Sequence, residues 1–321
     1  MAAIRFRVFP RTYDQAGNDK QRRQLGKALL VTLFTLPGMA IFFIFLLMPI
    51  SESFPLSLFK WNGLGPLNNF VGLDNYTQLL SNSTFQHSVT HSFIIMLLSL
   101  CIQLPLSLGL ALLVGRGELP GRRLFRTLLF IPFVFSEIIT AIIWLYVFKP
   151  DNGLLNVLLQ SIIPSFKPVP WLGDATNPSL VLYCIFAVIT WKYFGFHMIL
   201  YMAGLQNVPK DLEEAARVDG ANGFNVLRFI TFPLLGPTIR LSVFLSVLGS
   251  FQQFVIIWIM TLGGPVDFSH VIATYMYQFG IVRFLLGYGS SIAVVLFAIT
   301  LVFSIGYQRI VLRRDYTAGA F

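Results

Sequence analysis

Six apolar runs recur along the chain, at about 28–50, 88–114, 124–148, 180–205, 238–262 and 290–312, and polar connections separate them. The shortest of them reaches roughly 35 Å as a helix, enough to cross a bilayer with some tilt. The pattern therefore predicts an all-α membrane protein with six transmembrane helices. The first run is too long for a signal-peptide core, and no small-residue cleavage site follows it. Pro37-Gly38 predicts a kink within it. In the connections, Gly, Pro and Asn predict turns at 61–66 and 70–76. Short interfacial helices are expected at 73–80, with Tyr76 as an anchor, and at 154–163. A further connection, carrying Tyr275, Tyr277, Phe279 and Arg283, follows the turn Gly263-Gly264-Pro265.

The polar island between the fourth and fifth runs has its own pattern. Asp211, Glu213 and Glu214 follow Pro209, which suits the first turn of a helix, where acidic groups meet the positive end of the dipole. Asp219-Gly220 ends that helix, because glycine accepts a left-handed conformation. A second short helix is expected at 223–230, leading to Pro233 and back to the membrane. Ala215 and Ala216 give the first helix a small-residue surface that permits close approach. Two short helices at an angle make a rigid knob suited to a socket on another protein. The bland alternative is an amphipathic helix lying on lipid, against which the apolar face is thin.

Composition agrees with the membrane reading. The 321 residues are 55% hydrophobic and 12% charged, and the mean hydropathy is +0.72. A soluble domain carries about 25% charge. The net charge of +9 need not imply nucleic acid, because basic residues of membrane proteins gather in cytoplasmic loops. Eighteen of the 23 Lys/Arg fall in the N-terminal tail, the 2–3 connection, the polar island and the C-terminal end. Only Lys60, Lys149, Lys167 and Arg283 fall in the alternate connections, and Lys192 lies within a run. Both termini and the polar island are therefore expected in the cytoplasm, as six crossings require. The expected organisation is a basic tail (1–27), one six-helix domain (28–313) with a cytoplasmic loop (207–237), and a short tail (314–321). Cys101 and Cys184 lie in apolar runs and read as buried hydrophobes. The sequon Asn82-Ser83-Thr84 reads as chance.

Polar side chains within spans are costly and mark candidate functional positions. Glu137 is one. The fourth run offers Thr190, Lys192, Tyr193 and His197 beside Trp191 and Phe196, and the fifth offers Ser246, Ser250, Gln252, Gln253 and Trp258. Structural roles compete at each. Lys192 can snorkel or pair with Glu137, and His197 can serve packing. Ser246 and Ser250 have helix-packing spacing. Gln103 can join helices, and Trp144 and Trp258 can sit in belts. No G-x-x-x-x-G-K-[ST] loop is present, since Gly26-Lys27 is followed by Ala28, so the chain is not expected to be an ATPase.

Glu214-Ala215-Ala216, three residues, Gly220, nine residues, Ile230, one residue and Phe232-Pro233 resemble the "EAA" loop of bacterial ABC importer permeases, with Phe232 in place of the usual leucine. The segments 70–76, Ile131-Pro132, Trp144, 153–156 and 263–265 resemble the carbohydrate-uptake branch, the maltose and glycerol-phosphate type. The resemblance covers about 28–313 and implies the type I (MetI-like) importer permease fold, in the bacterial inner membrane. It implies that Glu213, Glu214, Ala215, Ala216, Asp219 and Gly220 dock on an ATPase subunit. Two such subunits would hold ATP and Mg, and this chain would bind no cofactor. A second permease, expected to be a distinct chain, and an extracytoplasmic solute-binding protein are implied as well. The resemblance implies a sugar or polyol site at Phe133, Glu137, Tyr193, Phe196, Ser246, Gly249, Ser250 and Gln253, with Ile189 beside them. Carboxylates and carboxamides bind sugar hydroxyls, and aromatic rings stack on sugar faces. The rival classes are an ion-coupled secondary transporter, which needs coupling acids in the spans, a permease for a solute such as glycerol phosphate, and a structural or regulatory membrane protein.

Overall fold

The computed structural model describes residues 13–116, 120–174 and 176–312. Residues 1–12 of the basic tail, and Arg313, Arg314 and the remainder of the C-terminal tail, lie outside them. The chain divides into two compact units at Pro55/Leu56. The first unit holds one helix, α1 (13–56), whose apolar stretch Gln24–Leu56 runs unbroken through Pro37-Gly38. Its apolar side chains, Phe34 and Phe45 among them, are exposed.

The second unit is helical throughout its long elements. α2 (Asp74–Ser81) precedes α3 (83–116). The third apolar run forms two helices, α4 (Arg122–Val134) and α5 (Glu137–Val147), bent by 99° at Phe135-Ser136. α6 (Leu154–Ile162) is the expected short helix, and α7 (Leu180–Gln206) is the fourth span. After α8 (Lys210–Val218), the fifth span begins earlier than its apolar run. α9 (223–251) is continuous from Gly223, so the expected separate helix at 223–230 is its first two turns. α9 stops before Gln252, and α10 (Val255–Thr261) completes the run. The connection carrying Tyr275 and Phe279 is helical, α11 (272–282), and α12 (Leu286–Leu312) ends the described chain. Among the described residues, five helices are long and apolar enough to cross a membrane, or six when the bent α4–α5 pair is counted as one span.

Proline explains much of the irregular backbone. π-helical turns at Phe43–Leu47, Ser99–Gln103 and Leu227–Thr231 each end two residues before a proline: Pro49, Pro105 and Pro233. Proline has no N–H to give and its ring crowds the carbonyl four residues back. An extra residue in the turn lets that carbonyl step aside.

α7 is the centre of the unit. It is apolar all round, as a helix packed on every side must be, and it touches α3, α4, α5, α9 and α10. Ile185, Val188, Ile256 and Ile257 form one core cluster, and Ala111, Met198, Tyr201 and Leu235 belong to another. At Gly195 an added Cβ would come within 2.3 Å of the Leu129 carbonyl oxygen, so only glycine lets α7 lie this close to α4. Arg126 on α4 donates to the carbonyls of Val114 and Gly115, which closes the open end of α3.

Asparagines clasp the connections. Asn75 donates to the carbonyls of Ser57 (2.7 Å) and Phe59 (3.0 Å). Asn156, fully buried, donates to the carbonyls of Pro150 and Val169 and accepts from Val169 N and Trp171 Nε1. Asn82 caps α3 by accepting from Phe85 N, which gives the sequon residue a structural task.

Candidate functional site

The site begins at the bend between α4 and α5. Pro132 weakens the last turn of α4, and Phe135 and Ser136 leave it in extended conformation. Ser136 then caps α5, its Oγ accepting from Ile139 N at 3.2 Å, and Glu137 occupies the first turn. This bend turns Phe133 and Glu137 into the unit.

α7 holds both sides of the bend. Lys192, 4% exposed, donates its ammonium to the carbonyls of Phe133 (3.1 Å) and Phe135 (2.5 Å) at the open end of α4. The positive charge meets the negative end of that helix. One residue on, the Tyr193 hydroxyl donates to Glu137 Oε1 at the start of α5. Of the two readings for Lys192, snorkelling and a Glu137 pair, the structure departs from both in its hydrogen bonds, which go to backbone, while Glu137 still acts on the ammonium through space. Lys192 also lies over the Phe133 and Tyr193 rings, 5.6 and 5.5 Å from their centroids.

A cavity of about 360 Å³ opens beside this bend. α4 and α5 bring Phe133 and Glu137 to it, and α7 brings Ile189, Tyr193, Phe196 and His197. α9 brings Ser246, Gly249 and Ser250, with Gln252 and Gln253 just beyond its end. All eight positions predicted for solute therefore share one wall system. Phe133 and Phe196, both in the lining, stack on each other at 5.0 Å between centroids. Three backbone irregularities meet here: the α4–α5 bend, the α9–α10 interruption, and the π-helical turn of α3 that carries Ser99 and Gln103. Non-helical backbone at membrane depth is tolerated where it is buried in protein or lines a watery cavity.

Ser99 and Leu245, which no sequence signal marks, also line the cavity, as does Gln103, expected to join helices. The available signal for Gln103 was its place two residues before Pro105. His197, read for packing, both lines the cavity and bonds Ser242 Oγ at 2.7 Å through Nδ1. Thr190, Trp144 and Trp258 lie outside the cavity lining. Trp144 packs against Phe148 and Trp191, and Trp258 against Phe254 and Tyr277. Among the residues that line the cavity, Gln103 Oε1, Ser246 Oγ and Gln253 Oε1 are buried without a hydrogen-bond partner. Such groups cost free energy until something fills the space and pairs them. A larger cavity of about 830 Å³ lies around Trp61, Asn69 and Tyr288, but its buried Asn75 is already committed to backbone.

The second candidate surface is α8 and its flanks. Gly220 ends α8 at φ +88°, where a side chain would be strained, and the Ala221 amide returns to the Ala216 carbonyl at 2.8 Å. Asn222 caps α9 by accepting from Asn225 N. Thr231 donates to Glu213 Oε1 at 2.7 Å and ties α8 to α9. The knob so fixed exposes Glu214, Ala215, Asp219 and Gly220, with Leu212, Val218, Phe224 and Phe229 beside them. Glu213 and Ala216 are half-buried.

Residues 103–316, which span this knob and most of the cavity, match the model of the binding-protein-dependent transport system inner membrane component. The chain belongs to that family. Among similar proteins, a probable ABC transporter permease of Pyrococcus horikoshii is 32% identical over 86% of this permease and 94% of its own length. The trehalose/maltose transport system permease protein of Thermococcus litoralis is 32% identical over 88% and 94%. The arabinooligosaccharides transport system permease protein of Bacillus subtilis is 32% identical over 85% of each chain. Among solved structures, a bacterial alginate ABC transporter in complex with an alginate pentasaccharide-bound periplasmic protein superposes with a TM-score of 0.78. It is 23% identical and covers 91% of the permease and 96% of that chain, so the type I importer fold is shared. The permease is thus a membrane subunit of an ABC transporter.

Proposed function

We propose that the permease conducts a sugar as the non-catalytic membrane subunit of an ATP-driven importer, and that the α3–α4–α5–α7–α9 cavity is part of the path. One observation carries the reading: residues as far apart in sequence as Gln103 and Gln253 converge on a cavity whose wall keeps unpaired polar atoms. Carboxamide, carboxylate and stacked phenyl groups suit sugar hydroxyls and the apolar sugar face. The names of the trehalose/maltose and arabinooligosaccharide relatives support the same solute class.

Energy enters through the α8 knob. Two ATPase subunits holding ATP and Mg receive Glu213, Glu214, Ala215, Ala216, Asp219 and Gly220. A second, distinct permease completes the path, and an extracytoplasmic binding protein delivers the solute. Both termini and the knob face the cytoplasm of a bacterial inner membrane, a placement that the Lys/Arg bias supports.

The test uses the assembled complex with its binding protein in proteoliposomes. Glu137→Ala and Gln253→Ala are each expected to lower solute-stimulated ATP hydrolysis about tenfold, the loss of one strong hydrogen bond. Unchanged stimulation in both variants moves the path elsewhere. Uptake is expected to stop when ATP is depleted and to survive an ionophore; the reverse result identifies an ion-coupled transporter.

A further inference from the structure

The cavity of about 830 Å³ lies wholly within the second unit. Its wall is the connection that follows α1, together with α2 and the start of α12. That connection is held firmly. Lys60 N donates to the Asn69 carbonyl and Val71 N to the Leu58 carbonyl, each at 2.9 Å. Asn75 clasps Ser57 and Phe59, so it serves the frame. Gly287 N donates to the Trp61 carbonyl at 3.0 Å. A Cβ on Gly287 would meet the Phe59 carbonyl oxygen at 1.9 Å, so only glycine seats the connection on α12. A wall fixed beforehand loses little freedom when a ligand arrives.

The lining combines an aromatic ring with carboxamides. Trp61 is half-buried, and its indole N–H donates to the Gly65 carbonyl at 3.1 Å, which orients the ring. Asn68, Asn69 and Gln78 are exposed, and their side chains make no hydrogen bond among the described residues. A carboxamide both donates and accepts, as a sugar hydroxyl does, and an indole can cover the apolar face of a sugar ring. The charged lining residues, Lys60 and Asp74, are opposite in sign. A phosphate site gathers cations, and the core of a protein interface is more apolar than this wall.

The second and sixth spans, α3 and α12, begin at this cavity, whereas the fourth, α7, ends at the α8 knob. With the bent α4–α5 pair counted as one crossing, cavity and knob lie at opposite ends of the spans. We propose that this cavity is a second saccharide-binding site, at the end of the permease away from the knob, with Trp61 as its stacking platform and Asn69 and Gln78 as hydroxyl partners. It stands on its own lining and does not require the cavity beside Glu137 to be the sugar path.

Hydrogen exchange on the assembled complex in detergent, with the binding protein left out, locates a bound sugar. The probes are maltotriose, arabinotriose, trehalose, lactose and diacetylchitobiose. At least one is expected to slow exchange within 57–78, separately from any effect at 99–103, 189–197 and 246–253, which line the other cavity. Asn69→Ala and Gln78→Ala spare the frame and are each expected to weaken binding read at 57–78 about fivefold, the loss of one neutral hydrogen bond. Trp61→Ala is expected to weaken it further. No protection at 57–78 from any of the five sugars, or binding there unmoved in both carboxamide variants, overturns the second site and leaves the path beside Glu137 as it was. Protection at 57–78 that needs the binding protein and no sugar makes this a protein-docking surface and overturns it as well.

Discussion

Lys192 shows how one side chain decides a local architecture. A break in a span frees carbonyls that lipid cannot satisfy, and at Phe133 and Phe135 the lysine supplies the missing donors. Lys192→Met leaves those carbonyls unpaired, at a cost of about 2 kcal/mol for a charge-assisted bond. The expected outcome is a lower Tm for the purified protein in detergent. A snorkelling lysine would accept the same change without loss, so an unmoved Tm would remove the clasp. The polar identities of this region are plain in the sequence, because charge and carboxamide in an apolar run stand out. What Lys192 touches is not, because its partners are main-chain atoms exposed by a bend that a hydropathy profile does not register.

At the scale of elements, what could be read depended on punctuation. The α8 knob is legible because Pro209, Gly220 and Pro233 mark its limits and acids mark its first turn. Its exposed apolar neighbours Leu212, Val218, Phe224 and Phe229 are a property of the fold. Glu214→Lys or Ala215→Trp is expected to leave the protein in the membrane at parental levels while abolishing co-purification of the ATPase subunits. Retention of those subunits would give the surface to lipid instead. The α4–α5 bend was hidden, since interrupting a run at two residues leaves its composition apolar. Ser136 followed by Glu137 was the available signal, a helix cap and a first-turn acid in mid-run. The α9–α10 interruption had only Gln252-Gln253 to announce it. The early start of α9 was obscured by Pro233, whose effect is a widened turn rather than a stop.

For the molecule as a whole, the apolar exterior and the polar cavity belong to one arrangement. The long apolar helices leave side chains such as Phe34, Leu106 and Val302 exposed, as a membrane protein requires. The proposed cytoplasmic placement of the knob rests on the Lys/Arg bias and is open to a direct test. Asp219→Cys, in a background where Cys101 and Cys184 are replaced, is expected to resist a membrane-impermeant maleimide in intact spheroplasts, and Gly173→Cys to react. The opposite labelling would invert the topology. The bends and widened turn around the cavity have a bearing on descent as well as on transport. They depend on proline, capping and packing positions rather than on Glu137 or Gln253. Substitution can therefore exchange Glu137 or Gln253 for other side chains and leave the bends in place. The shape of the cavity is inherited with the backbone, while its chemistry is free to drift one residue at a time.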